Sequence, residues 1–87
     1  MLMLKETILK VLGKQYAADS MIEIRSGRYD LAFKTDDRGR PILLFMGQKD
    51  ANGKIKGERY ARRLLTDTEG RVVKDHWDHK GKASAQL

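Results

Sequence analysis

"TDDRGRPILLFM", residues 35–46, decides how this chain folds. It joins a turn, Asp36-Asp37-Arg38-Gly39, to a continuous apolar run that ends at Met46. Asp at the first position of a type I turn accepts a backbone hydrogen bond. Gly at the fourth takes a positive φ, so the chain doubles back antiparallel. A short unbroken apolar run of this kind reads as a central strand. The same Asp-x-x-Gly spacing recurs at "DANG" (50–53) and "DTEG" (67–70), and "SG" at 26–27 suits a two-residue hairpin turn. Four reversals predict five strands in meander order, at about 21–25, 28–35, 40–49, 54–66 and 71–79.

The turns also predict a register. With Asp36 opposite Arg40, Phe33 faces Leu43 and Leu31 faces Phe45. The second turn sets Phe45 against Arg59, Leu43 against Ala61 and Gly47 against Gly57. The third sets Leu65 against Val73, Arg63 against Asp75 and Ala61 against Trp77. Across "SG", Ile24 meets Tyr29 and Ile22 meets Leu31. One face then collects Ile22, Ile24, Tyr29, Leu31, Phe33, Leu43, Phe45, Ala61, Leu65, Val73 and Trp77. Arg63 and Asp75 intrude on that face as a pair, with Arg59 at its margin opposite His79. A slip of one residue at any turn would move a strand's whole apolar set to the other side. The glycine pair reads as a local bend or bulge curling a long hairpin; a backbone approach site for a ligand is the sharper alternative.

The N-terminal segment has a different period. Met1, Leu4, Ile8, Val11 and Leu12 fall on one side of a helix, with Glu6, Lys10 and Lys14 away from it. Glu6 and Lys10 are an i,i+4 pair, Gly13 supplies a left-handed stop, and "KQYAADS" is a connecting loop. The predicted fold is α+β: an N-terminal helix packed on one face of a five-stranded antiparallel β-meander, residues 1–80, with 81–87 a flexible tail. Residues 57–66 also fit a helix, with Tyr60, Ala61, Leu64 and Leu65 on one side and Arg59, Arg62 and Arg63 exposed.

A chain of 87 residues makes one core, and the absence of cysteine excludes disulfides and thiolate metal sites. Charges at Lys5, Glu6 and Lys10 interrupt any signal-peptide pattern, and no window suits a membrane span. A cytoplasmic protein is expected. The formal net charge is +6, spread along the chain except in "KIKGERYARR" (54–63), where five basic residues stand against Glu58. Such a field attracts polyanions.

"KDHWDHKGK" (74–82) holds both histidines and the single tryptophan. On a strand, Asp75, Trp77 and His79 share one face, while His76 and Asp78 share the other. The sheet then separates the histidines, and two ligands are too few for zinc, so no metal or cofactor is predicted. No nucleophile-elbow context and no phosphate-cradling glycine cluster occurs, so no catalytic residue is assigned.

The face opposite the helix is predicted to carry an apolar stripe with a charged rim. It is assigned as the partner-binding surface through Ile42, Leu44, Met46, Tyr60, Arg62, Leu64 and His76. Glu23 and Asp30 on one wing and Arg62, Lys74 and His76 on the other suit a two-fold homodimer. The expectation is therefore a non-enzymatic interaction module that self-associates or binds a protein partner. The alternative is a nucleic-acid-binding protein using Lys54, Lys56, Arg59, Arg62, Arg63 and Lys74 against phosphates, with Tyr60 for base stacking. A small nuclease using His76, Arg62, Lys74 and Tyr60 rests on residue type alone.

Overall fold

A computed structural model of the chain describes residues 4–86. Its elements are α1 (Glu6–Leu12), β1 (Met21–Ser26), β2 (Tyr29–Thr35), β3 (Pro41–Lys49), β4 (Lys54–Thr66) and β5 (Val72–Gln86). The strands form one antiparallel sheet in the order β1-β2-β3-β4-β5, so the α+β meander is as the turns predicted. Residues 57–66 are strand, not helix. Residues 81–86 extend β5 beside Lys54–Glu58 instead of leaving the sheet as a tail. Met1 of the helical pattern and Leu87 of the expected tail lie outside the described residues.

The helix begins after an extended Lys5 that supplies no side-chain cap, and Glu6 and Lys10 complement its dipole at either end. Their ion pair, 3.9 Å and exposed, contributes little. Gly13 does end the helix, but from the right-handed region (φ −82°). Side chains finish the job that a left-handed glycine would do. The Tyr16 hydroxyl donates to Val11 O at 2.7 Å, and Arg62 Nη1 donates to Leu12 O at 3.2 Å.

All three Asp-x-x-Gly segments turn as predicted. At Asp36, Asp50 and Asp67 one carboxylate oxygen accepts the N–H groups two and four residues on, and the glycine sits at φ 77–82°. Gly39 is pinned twice over, because a Cβ there would lie 2.0 Å from Tyr16 O. The "SG" turn moves along by one residue, which shifts the β1–β2 register by two: Ser26 pairs with Tyr29, and Gly27 (φ 59°) is the first turn residue. Ile22 therefore faces Phe33 and Ile24 faces Leu31. An even displacement leaves every side chain on its predicted face.

The other register errors are odd, and they matter. Asp36 N–H does donate to Arg40 O, and Thr35 does face Pro41, but Lys34 then faces Leu43, leaving Ile42 as a bulge. Pro41 has no N–H to give the ladder, which is where a bulge is tolerated. Thr35 cannot slide to compensate. It is buried, its N–H and hydroxyl bond Ser20 O and Ala17 O, and its hydroxyl accepts from Ser20 N–H. Phe33 consequently faces Leu44, and Leu31 faces Met46. The β3–β4 register is as predicted, so β4 is reversed along with β3. A second bulge at Val73 sets Leu65 against Lys74 and Arg62 against Trp77. Two odd displacements cancel, and Trp77 returns to the helix side.

The core beneath α1 is Ile8, Leu12, Leu31, Phe33, Leu44 and Tyr60, with Ile22, Ile24, Tyr29, Met46 and Trp77 packed around it. Leu43, Phe45 and Ala61, expected there, lie on the opposite face. Leu65 (49% exposed) and Val73 (65%) lie on a two-stranded ribbon, because β4 beyond Ala61 pairs only with β5. Gly47 and Gly57 do face each other, with an unbroken register and no bulge. The backbones approach so closely that a Cβ on either would lie 2.0–2.1 Å from a carbonyl oxygen of the neighbouring strand. The close approach is strand on strand.

Candidate interaction surface

The stripe expected to meet a partner is the floor of the core. Leu44 is 0% and Tyr60 2% exposed, both under α1, and Met46 packs against them. The physical reason is the bulge at Ile42, which turns the whole of β3 and β4 over. Leu64 shares the helix side of β4, and His76 lies on the other face, so the assigned group is not one surface.

Arg62 is a structural tie. Its Nε and Nη2 donate to Asp75 Oδ1 and Oδ2 at 2.7 and 2.8 Å, and Nη1 donates to Leu12 O and to Pro41 O at 3.2 and 3.1 Å. The side chain is 11% exposed, and its guanidinium lies 5.7 Å from the Trp77 ring centre. One residue of β4 thus holds α1, β3 and β5. Its hydrogen bonds to Asp75 are the largest influence holding that carboxyl below its usual range, against the opposing effect of burial. The expected Arg63–Asp75 pair does not form, because the Val73 bulge puts Arg63 opposite His76.

The histidines divide as predicted. Trp77 and His79 lie on the helix side, where His79 Nε2 is 2.7 Å from Glu58 Oε2 and its ring is 5.1 Å from that of Tyr60. His76 lies on the other face, 3.1 Å from Asp78. Each has one carboxylate neighbour. Among the described residues no three His, Asp or Glu side chains converge on a point that would hold a metal.

Cross-strand rows give the composition of the face that α1 leaves open. One row is Met21, Lys34, Leu43, Ala61 and Asp78; the next is Glu23, Ala32, Phe45 and Arg59. Arg25, Asp30, Gly47, Gly57 and Ala83 follow on one side, and Arg63 with His76, then Leu65 with Lys74, on the other. The centre is Ala32, Leu43, Phe45 and Ala61, buried or half-buried.

Charge on this face is asymmetric. Glu23 pairs with Lys49, and Asp30 accepts from Arg25 at 3.0 Å and from the Lys49 N–H at 2.8 Å. The Lys49 N–H is the main cause of Asp30's lowered pKa. Lys34, Arg59, Arg63 and Lys74 are exposed and make no ion pair among the described residues. From strand spacings, Arg59 and Arg63 stand about 13 Å apart, with Lys34 about 10 Å to one side. Of the cations assigned to nucleic acid, Arg59, Arg63 and Lys74 therefore share a surface. Lys54 and Lys56 lie on the helix side, with Lys56 3.7 Å from Asp50, and Arg62 is consumed by Asp75. Lys34 lies on its expected face but was not among the assigned cations, and Phe45 was expected on the other face. The signal for Phe45 was Pro41, a strand-opening residue without a ladder donor.

No family model matches this chain, and neither a curated protein nor a solved structure matches it. No helix among the described residues is long and apolar enough to cross a membrane.

Proposed function

We propose that the open sheet face binds the phosphate backbone of a nucleic acid. The observation that carries this reading is the segregation of charge: the acidic groups Glu23 and Asp30 are neutralised within the chain and Asp78 has His76 beside it, while Lys34 and Arg59, flanking Phe45, and Arg63 and Lys74, on the adjoining ribbon, make no ion pair among the described residues. Unpaired cations on a sheet face release the counterions of a polyanion on docking, which is the main source of sequence-independent affinity. Phe45 is the one Phe, Tyr or Trp ring on this face among the described residues, too few for a stacking platform, so contact is through backbone charge with little base preference. A second copy of the chain fits poorly. Face to face across a two-fold axis, the unpaired cations have no free carboxylates of the Glu23 and Asp30 wing to meet.

An acidic protein partner is the second reading, supported by the apolar centre of Leu43 and Phe45 within the cationic rim. The test is fluorescence anisotropy with a labelled single strand of mixed sequence, between about 50 and about 200 mM salt. Four phosphate contacts give a slope of log K on log salt near −3 and about a 50-fold loss across that range. Arg59→Glu with Arg63→Glu should abolish binding and Lys54→Glu should leave it nearly intact. Absence of binding at the low-salt end refutes the nucleic-acid reading.

A further inference from the structure

α1 covers β2, β3 and the near side of β4 but leaves uncovered the strip of the same sheet face toward β5. There a cleft of about 840 Å³ opens, walled by Leu4, Leu9 and Leu12 of the helical segment and by Tyr60, Trp77 and His79 of the sheet. That volume lies within the range of small-molecule sites. Arg62, Asp75, His76 and Asp78 also line it, the last two being β5 residues whose side chains belong to the cationic face, so the cleft borders that face along the sheet edge.

The chemistry of the walls narrows what would occupy it. Arg62 is matched by Asp75, while Glu58 has the His79 ring 2.7 Å away and Asp78 has that of His76 at 3.1 Å. An anionic ligand would give up its hydration among these carboxylates without gaining a free cation, which excludes it. The rings of Tyr60, Trp77 and His79 against three leucines favour a flat aromatic body. Two hydrogen-bond donors have no protein partner among the described residues, the Tyr60 hydroxyl and the Trp77 indole N–H, and since no partnerless side-chain N or O is buried, both are open to solvent. Each can take an acceptor atom in place of water. Leu9, 43% exposed, forms the rim.

We propose that this cleft binds a neutral planar nitrogen heterocycle, its ring against Trp77 and Tyr60 and its acceptor atom taking one of the two free donors. The occupant meets the helix and β5 at once.

Trp77 is the single tryptophan of the chain, so its indole N–H resonance and its fluorescence each report one site. The full chain is titrated with quinoline at mildly alkaline pH, where quinoline is uncharged, and with two charged analogues of the same shape, N-methylquinolinium and 2-naphthalenesulfonate. Quinoline should shift the Trp77 N–H resonance saturably, with half-saturation below about 1 mM for so small a ligand. Both charged analogues should bind at least about tenfold weaker, N-methylquinolinium because its nitrogen has no lone pair to accept a hydrogen bond and 2-naphthalenesulfonate because it meets carboxylates and no free cation. Tyr60→Phe should weaken quinoline about 3- to 10-fold if the hydroxyl takes the acceptor. Leu9→Glu, at the exposed rim where the fold is not at stake, should abolish saturation. Each of three results overturns the proposal: no saturable shift at millimolar quinoline, equal binding of either charged analogue, or undiminished binding by the Leu9→Glu protein.

Discussion

Replacing Arg62 by methionine keeps an unbranched side chain of similar length and removes the guanidinium. The loss has two parts. The two bonds from Nη1 to Leu12 O and Pro41 O close the end of α1 and the start of β3. Hydrogen bonds from a charged group contribute about 1.5–3 kcal/mol each. The bidentate pair with Asp75 is worth less than a fully buried one. The Asp75 side chain is 41% exposed and rehydrates when its partner goes, which lowers the usual cost of about 3–5 kcal/mol for breaking a buried pair. Together a destabilisation of at least about 3 kcal/mol is expected, a fall in Tm of roughly 12 °C or more for a domain of this size. Asp75→Asn should cost only about 1 kcal/mol, because Arg62 keeps both carbonyls. Urea unfolding followed by Trp77 fluorescence measures both. Hydrogen exchange should show the amides of α1 opening more often in Arg62→Met than in Asp75→Asn. If Arg62→Met costs under about 1 kcal/mol, or if the two changes add without coupling, the residue is not the tie described.

Leu44→Glu should unfold the domain, because it places a carboxylate at a fully buried site under the helix; a folded, soluble Leu44→Glu protein would restore the exposed-stripe reading. Gly47→Ala should cost about 1–3 kcal/mol in urea unfolding, since its Cβ meets the Lys56 carbonyl and not a movable side chain. The pKa values of Asp30, Asp36, Asp50, Asp67 and Asp75 are all lowered on folding. Their contribution is complete above the unfolded carboxylate value of about 3.9 and disappears as pH falls through the lower folded values. Stability should be level from neutral pH to about 5 and drop below about 4. A midpoint in urea independent of pH down to about 3 would contradict this.

The sequence carried the scaffold plainly and the choice of faces badly. Asp36, Asp50 and Asp67 with their glycines are local devices, so the strands and their order were legible without knowing anything beyond a turn. Which way a strand's side chains point depends on single-residue insertions, and those were decided at a distance. Ile42 bulges because Thr35 is fastened to Ala17 and Ser20 while Pro41 can donate nothing. Apolar residues stand on both sides of β3, with Leu43 and Phe45 on one and Leu44 and Met46 on the other, so alternation had no vote. Trp77 was placed correctly through two errors that cancel, a right answer for an incomplete reason. Of the basic stretch 54–63, composition showed the excess charge. It could not show that Arg62 points under the helix while Arg59 and Arg63 point away.

The bulges have a further effect. β5 is the outermost strand, fifteen residues long, and its free margin offers unpaired N–H and C=O groups that invite another chain to add on. Displaced residues at Val73, near its start, and at Gly81 (φ 98°), in its second half, interrupt that margin, and Lys74, Lys80 and Lys82 punctuate it. The irregularities that hid the register also guard an otherwise adhesive border against runaway intermolecular sheet growth.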